Sequence, residues 1–444
     1  MLFRSVEKLV TDGTPVPVVA SYGMTSGSTP REGITAPMVF YDPAQPPSAS
    51  QIAGKILVFQ TAEQPPPPYS DSFLDNYTLT DYEWRSPGNW PPLFTPPPPS
   101  VMSSYHSRWV WSQVGGFAAI GIKGGAAGIV IVCDLSPGAA LGLTQRSVYT
   151  ANGRAGLGAT YVNCPTLMLD RVNGVKVLAD AKAGKMATLT LIARFQRDTG
   201  KAIIGYLPGK NYGTPRDEQV LLATHTDAMS LIEENGAFGM LGIMSYFNRI
   251  PKALRPRTLA FYFDCRHFMP GGEASWPQYD YYNIHPEKLK TIVATVGMEH
   301  MGGRQTIEVG DTYGYSKEKP EDGGVITSLM DVNNNNPWMV EMIARAAVDN
   351  KWPRVDVKAG QNAGPGQNGG FQGSVKSPMN KGRAWKIPGC GLAGDWPGSW
   401  TQTFAQVDTE AGPHGFDENY FYQQVAGLSQ ITGEFMQEIG RAHV

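Results

Sequence analysis

The chain has 444 residues, with 37 Lys and Arg against 39 Asp and Glu for a formal net charge of −2, and it is 41% hydrophobic and 17% charged. That length allows two or three domains with real cores, and that composition is too apolar for general disorder. With no Lys/Arg block and no apolar run near the ~20 residues of a membrane helix, neither nucleic acid nor a membrane is expected as a partner.

The opening MLFRSVEKLVTDG lacks the apolar stretch and small-residue cleavage site of a signal peptide. Four cysteines, Cys133, Cys164, Cys265 and Cys390, are widely spaced with no C-x-x-C. That pattern fits neither a zinc knuckle nor a disulfide framework, so small buried hydrophobes are expected.

From Val16 to Gln60 the runs PVPVVASYG, GITAPMVFYD and IAGKILVFQ, each closed by turn residues, predict short strands. Two proline runs follow, Gln64 to Ser72 and Pro91 to Ser100, with aromatics between them. They favour polyproline II and predict a surface excursion, either a plain loop or the border of a pocket. SQVGGFAAIGIKGG then has helical spacing and feeds GIVIVC, a continuous apolar run expected as a buried strand. CPTLMLDRVNGVKVLADAKAG predicts a strand and a helix, and MATLTLIARFQRD alternates like an exposed edge strand. A β-rich first domain over 1–197 is expected.

Residues 198–444 change to strand–helix alternation: KAIIGYLPG, QVLLATHTD, GAFGMLGIMSYFNRI, RTLAFYFDC and LKTIVATVGMEHMGG. This predicts an α/β domain with a mixed, mostly parallel sheet covered by helices. Ligands of such sheets gather at the carboxyl ends of the strands. DVNNNNPW and GQNAGPGQNGGFQGS follow as polar loops, and the chain ends in an amphipathic helix, DENYFYQQVAGLSQITGEFMQEIGRA.

Three strand ends deliver metal-binding or acid–base residue types. After VLLAT come His225 and Asp227; after LAFYF come Asp264, Arg266 and His267; after IVATVGM come Glu299 and His300. Three of the seven histidines thus stand at strand ends, more than scattered surface or core histidines would give. His-x-Asp spacing lets an imidazole bind a metal while the carboxylate fixes its tautomer. Glu233 and Glu234, just before a helix, either bring a further carboxylate to the same place or form an acid pair favoured by the helix dipole.

Taken in order, GYLPGK, DEQVLLATHTDA, ENGAFGMLGIMSYF, RTLAFYFDCRHF, IVATVGMEHMGG and QVDT resemble the core of the co-catalytic zinc aminopeptidase family, from about Lys201 to Ile439. That family includes bacterial leucyl aminopeptidases, glutamate carboxypeptidase II and glutaminyl cyclases. The preceding GITAPMVFYD, IAGKILVF, GGAAGIVIV and CPTLMLDRVNGVKVL resemble the protease-associated domain that many members carry. The family's usual N-terminal helical segment is not evident. Members with this insertion are often exported.

Position by position, the resemblance implies His225 as a metal ligand and Asp227 as its orienting acid. It places the bridging position at Glu234, preferred because a carboxylate bridges or binds where an amide rarely does, or, without a gap, at Asn235, and a further ligand at Glu299. The family's two consecutive glutamates, a general base and a second-metal ligand, fall on Arg266 and His267. Its last histidine falls near Phe404, ahead of Asp408 and Thr409, with His414 as the nearby substitute. Arginine does not deprotonate water at ordinary pH.

A one-metal site of His225, Glu234 and Glu299, completed by His267, follows as the expectation. Zinc suits it best, with iron or manganese also matching the donor types. Arg266 either binds substrate or oxyanion charge, or fills the vacated metal position in an ion pair with Glu234 or Asp264. His267 is a ligand, an acid–base group or a structural residue. Trp396 and Trp400, in the Gly-rich stretch before Asp408, are expected with His300 to line a substrate pocket. The expected substrate is a small amide, ester or similar carbonyl compound, or a peptide-like molecule. Ordinary two-zinc aminopeptidase action is not expected. A lyase, an iron or manganese enzyme, and a binding protein without catalysis are the alternatives, and homo-oligomerisation is left open.

Overall fold

Short apolar runs, each closed by turn residues, build a first sheet in the amino-terminal half. The computed structural model describes residues 6–21, 27–62, 77–80, 83–85, 101–140, 164–193, 199, 201–226, 235–264, 285–299, 301–302, 306–315, 328–332, 337–352, 354–359, 389–393 and 416–437. In chain order the first elements are β1 (Val6–Thr11), β2 (Thr14–Val16), β3 (Ala20–Ser21), β4 (Ile34–Phe40), α1 (Ala49–Ile52) and β5 (Ile56–Gln60). Then come β6 (Tyr77–Thr80), β7 (Glu83–Arg85), β8 (Val101–Ser103), α2 (Ser104–Lys123), β9 (Gly128–Val132), α3 (Pro137–Ala140), β10 (Thr166–Leu169), α4 (Arg171–Lys182) and β11 (Met186–Ile192).

Eight of these strands form one sheet in the order β2-β1-β11-β4-β5-β9-β10-β3. Strands β4, β5, β9 and β10 run parallel. Alternate residues of the central strands serve opposite faces. Leu57, Phe59, Ile129 and Ile131 pack with Val110, Val114 and Ala118 of α2. Ile56, Val58, Val130 and Val132 pack with Val177 and Ala181 of α4. Gly174 lets α4 approach closely, since a Cβ there would lie 2.2 Å from Val132. Asp170 caps that helix by accepting from the amides of Val172 and Asn173. The amino-terminal half therefore has helices on both faces of its sheet, a fuller α/β layering than the β-rich reading expected.

One sequence expectation is corrected. β11 is an interior strand, antiparallel to both β1 and β4. Its alternation signalled uneven burial of its two faces, while β1, hidden in SVEKLVTDG, covers its outer edge. The proline runs lie outside the described residues, but the stretch between them forms β6 and β7. These, with β8, leave the first half and pair with strands of the second.

That second half comprises β12 (Ile203–Leu207), β13 (Gln219–His225), α5 (Gly236–Asn248), β14 (Thr258–Asp264), α6 (Pro286–Leu289), β15 (Ile292–Glu299), β16 (Thr306–Val309) and β17 (Thr312–Tyr315). It continues with β18 (Ser328–Val332), α7 (Pro337–Asp349), β19 (Arg354–Ala359), β20 (Gly389–Ala393) and α8 (Glu418–Gln437). The nine-stranded sheet has the order β12-β14-β13-β15-β20-β18-β19-β6-β7, and a small sheet has the order β17-β16-β8. β14, β13, β15 and β20 are parallel neighbours. One face of this sheet packs on α5, α7 and α8 through Met240, Ile243, Phe247, Met342, Leu428 and Phe435. The expected division near Arg197 lies outside the described residues.

Trp352 ties α7 to α8. It is fully buried, and its indole N–H donates to Gln423 O at 2.6 Å. The two halves meet at Arg171, which pairs with Asp134 of its own half and donates to Asp311 Oδ1 at 2.9 Å in the β16–β17 turn. Among the described residues, no helix is long and apolar enough to cross a membrane.

Cys133, Cys164 and Cys390 are buried free thiols, as expected from their spacing; Cys265 lies outside the described residues. Burial pushes the Cys164 thiol up to about 11 and that of Cys390 up to about 12, and it raises Cys133 further with help from Asp134 and Asp170. All three should therefore stay protonated and unreactive in the folded protein at pH 8. Alkylation followed by peptide mass spectrometry should modify them only after denaturation; labelling of the native protein at free-thiol rates would contradict this burial.

Candidate active site

Strand register sets the site. β13 and β14 pair from Gln219↔Thr258 to His225↔Asp264. β13 and β15 pair through Ala223↔Gly297, which carries His225 level with Glu299 two residues on. Glu299 in turn pairs with Ala393. Asp264, His225, Glu299 and Ala393 thus end four adjacent parallel strands in one row, with neighbours roughly 4.8 Å apart.

Alternation also fixes the face. Val220 and Leu222 point to the layer of α5, α7 and α8, whereas Leu221 and Ala223 pack on the other side with Ala260 and Tyr262. His225 continues the second series and is fully buried. Backbone positions 264 and 299 fall in the same series on their own strands.

The opposite series holds the strand ends together. Thr224 donates its hydroxyl to Met298 O at 2.7 Å. Gly236, the first residue of α5, sits against the same carbonyl, where a Cβ would lie 2.1 Å from Met298 O and 2.2 Å from Thr224 Oγ1. Asn235 occupies the N-cap position, yet its side chain makes no cap hydrogen bond. Its amide instead donates to Met301 O and accepts from Met301 N at 2.9 Å.

From the far side, Gly302 N donates to Gln424 Oε1 at 2.6 Å, and Asp417 N donates to Gly302 O at 2.6 Å. Gly302 has φ +66°, and a Cβ there would lie within 3 Å of Phe421, Asp417 and Phe416. The turn two residues beyond Glu299 is thus gripped by the starts of α5 and α8. Nothing in the sequence pattern singled out Thr224 or Gln424, whereas Gly302 was marked by the resemblance as the glycine that follows Glu299. Asn235 was weighed as a bridging ligand; that placement is corrected, because both ends of its amide are bound to the Met301 backbone.

Of the candidate residues, His225 is described in full and Glu299 by its backbone. Asp227, Glu234, Arg266, His267, His300, Trp396 and Trp400 lie outside the described residues, as do Glu233, Phe404, Asp408, Thr409 and His414. Asp227, Arg266, His300 and Trp396 follow the four strand ends by one to three residues. Among the described residues, no group of three or more His, Cys, Asp or Glu side chains stands close enough to hold a metal. The donor chemistry of the row nevertheless fits one: a buried imidazole has a carboxylate-bearing position level with it on either side, the nitrogen and oxygen mixture that zinc accepts.

Gly236→Ala should strain the junction of β13, β15 and α5. A loss of about 1–3 kcal/mol in urea unfolding is expected, against near neutrality or a small gain for Gly116→Ala in α2, where the Cβ position is open and φ is not left-handed. Unchanged stability of Gly236→Ala would mean the close approach to Met298 is not as described.

No family model matches the sequence, and neither does any curated protein. Solved structures do match in shape. BSAP, a zinc aminopeptidase from Bacillus subtilis, superposes with a TM-score of 0.53 at 14% identity, over 98% of this chain and 83% of that one. A peptidase M28 precursor from Shewanella amazonensis SB2B gives 0.55 at 16% identity, over 98% and 81%. Identities this low speak for architecture, and they cover both halves of the chain. The protein has the α/β fold of the zinc aminopeptidases.

Proposed function

We propose that the protein is a metal-dependent hydrolase whose site is rebuilt around one divalent ion and acts on a small amide, ester or similar carbonyl substrate. The observation that carries this reading is the row of parallel strand ends, in which His225 stands level with Asp264 and Glu299. Carboxyl ends of parallel strands are where such sheets bind ligands.

His225, Glu234 and Glu299 would hold the ion, with His267 as the added donor, a mixture that suits zinc. When bound, the ion supplies Lewis acidity toward a carbonyl or a water molecule. The chain's own residues do the remaining work. Asp227 orients the His225 ring by accepting from its second nitrogen. Arg266 holds the charge that develops on the carbonyl oxygen, using a fork of donors that stays protonated at ordinary pH. Trp396, Trp400 and His300 line the substrate pocket and exclude water from it. The amino-terminal half plays the part of a protease-associated domain beside that pocket.

Peptide hydrolysis by the two-zinc route is not part of this reading, because Arg266 and His267 stand where the resemblance calls for paired glutamates. Elemental analysis of the purified protein should find zinc near one equivalent per chain, falling to background in His225→Ala. Arg266→Lys should keep the zinc and lose about 100-fold or more in kcat/KM on an activated ester or anilide. A chain without stoichiometric metal, or zinc undisturbed in His225→Ala, would sink the proposal. Iron or manganese in place of zinc would keep the one-metal site and make a non-hydrolytic reaction the competing reading, decided by whether the ester or anilide is turned over.

A further inference from the structure

The turn at Met301–Gly302 is held more tightly than its position in a loop requires. It follows Glu299 and His300 directly, and both residues bond to groups distant in sequence. The Asn235 amide takes the N–H and the C=O of Met301, Gln424 takes the N–H of Gly302, and the Asp417 amide takes its C=O. Every backbone polar group of the two residues is therefore bound. Asn235 and Gln424 are themselves buried, at 1% and 0% exposure, so these bonds are shielded from competing water.

Asn235 has helical backbone angles, φ −72° and ψ −8°, rather than the extended ones of a capping residue. At the N-cap position, asparagine ordinarily accepts from the second or third amide of its own helix. Here it makes no such bond and reaches across to the turn after β15. Its neighbour in the chain is Glu234. One side chain thereby ties the start of α5 to the turn that follows β15.

We infer that Asn235 and Gln424 are positioning residues for the metal site, clamping the Met301–Gly302 turn so that the Glu234 and Glu299 segments stay at ligand spacing. The inference rests on the one-metal reading above. Partners of this kind act on the metal through the ligands they hold, and their removal costs about 10–100-fold in affinity.

Thr258 supplies the control. It stands at the opposite end of β14 and also makes two buried hydrogen bonds, accepting from Gly209 N and donating to Asp217 Oδ1. Zinc affinity, read by competition with a chromophoric chelator, and thermal melting of the metal-free protein should be measured for the wild type, Asn235→Ala, Gln424→Leu and Thr258→Val.

All three variants should melt lower. Asn235→Ala and Gln424→Leu should weaken zinc binding about tenfold or more, while Thr258→Val stays within about twofold of the wild type, the margin expected of a distant independent site. If Asn235→Ala does not fold, Gln424→Leu tests the same turn from α8. Hydrogen exchange of the Met301 and Gly302 amides should speed up in the two clamp variants without metal. Clamp variants that bind zinc as the wild type does, or a Thr258→Val loss as large as theirs, would overturn the inference alone. A wild type that takes up no zinc would overturn the one-metal reading and this inference with it.

Discussion

The organising constraint is the pairing of β14, β13, β15 and β20 in one parallel register. Side chains alternate along a strand, so a slip of one residue would turn His225 from its face to the helix layer and expose half the core. The apolar series fixes that register by energy: Val220, Leu222, Leu259, Phe261, Val296 and Met298 are fully buried against α5, α7 and α8. Roughly 1.5–3 kcal/mol for each such side chain opposes a slip. The alignment of polar strand ends is thus a by-product of hydrophobic packing several residues away.

At the carboxyl edge the packing changes character. Thr224, Gly236, Asn235, Gly302 and Gln424 replace apolar contact with close backbone approach and buried hydrogen bonds. A row of strand ends needs its following loops to leave in fixed directions, and backbone-to-amide bonds specify direction where apolar contact does not. Buried polar networks of this kind are stabilising only when complete, which is the case for both residues of the Met301–Gly302 turn.

Much of this architecture was legible in the sequence. The continuous apolar runs VLLAT, LAFYF and IVATVGM marked buried strands, which prove to be parallel neighbours with His225, Asp264 and Glu299 in one row at their carboxyl ends. What escaped was non-local. β11 looked like an edge because no local pattern reveals that Val6–Thr11 pairs along it. Asn235 stood only as the gapless alternative to Glu234 for a bridging position, and no local pattern shows that its amide faces a main-chain turn far along the chain. Gln424 lay in an amphipathic helix whose pattern gives burial, not hydrogen-bond partners.

The weaving of β6, β7 and β8 into the second half bears on how the chain reaches this state. Leu79 pairs with Val355, and Met102 with Glu308, so these strands are synthesised long before their partners exist. Until then the amino-terminal sheet has no place for them, and their backbone groups remain open to other chains. Such late, long-range pairing slows folding and lengthens exposure to aggregation. Division of the gene at the apparent boundary between the sheets would strip β19 and β16 of one neighbour each, leaving two fragments with raw edges in place of two domains.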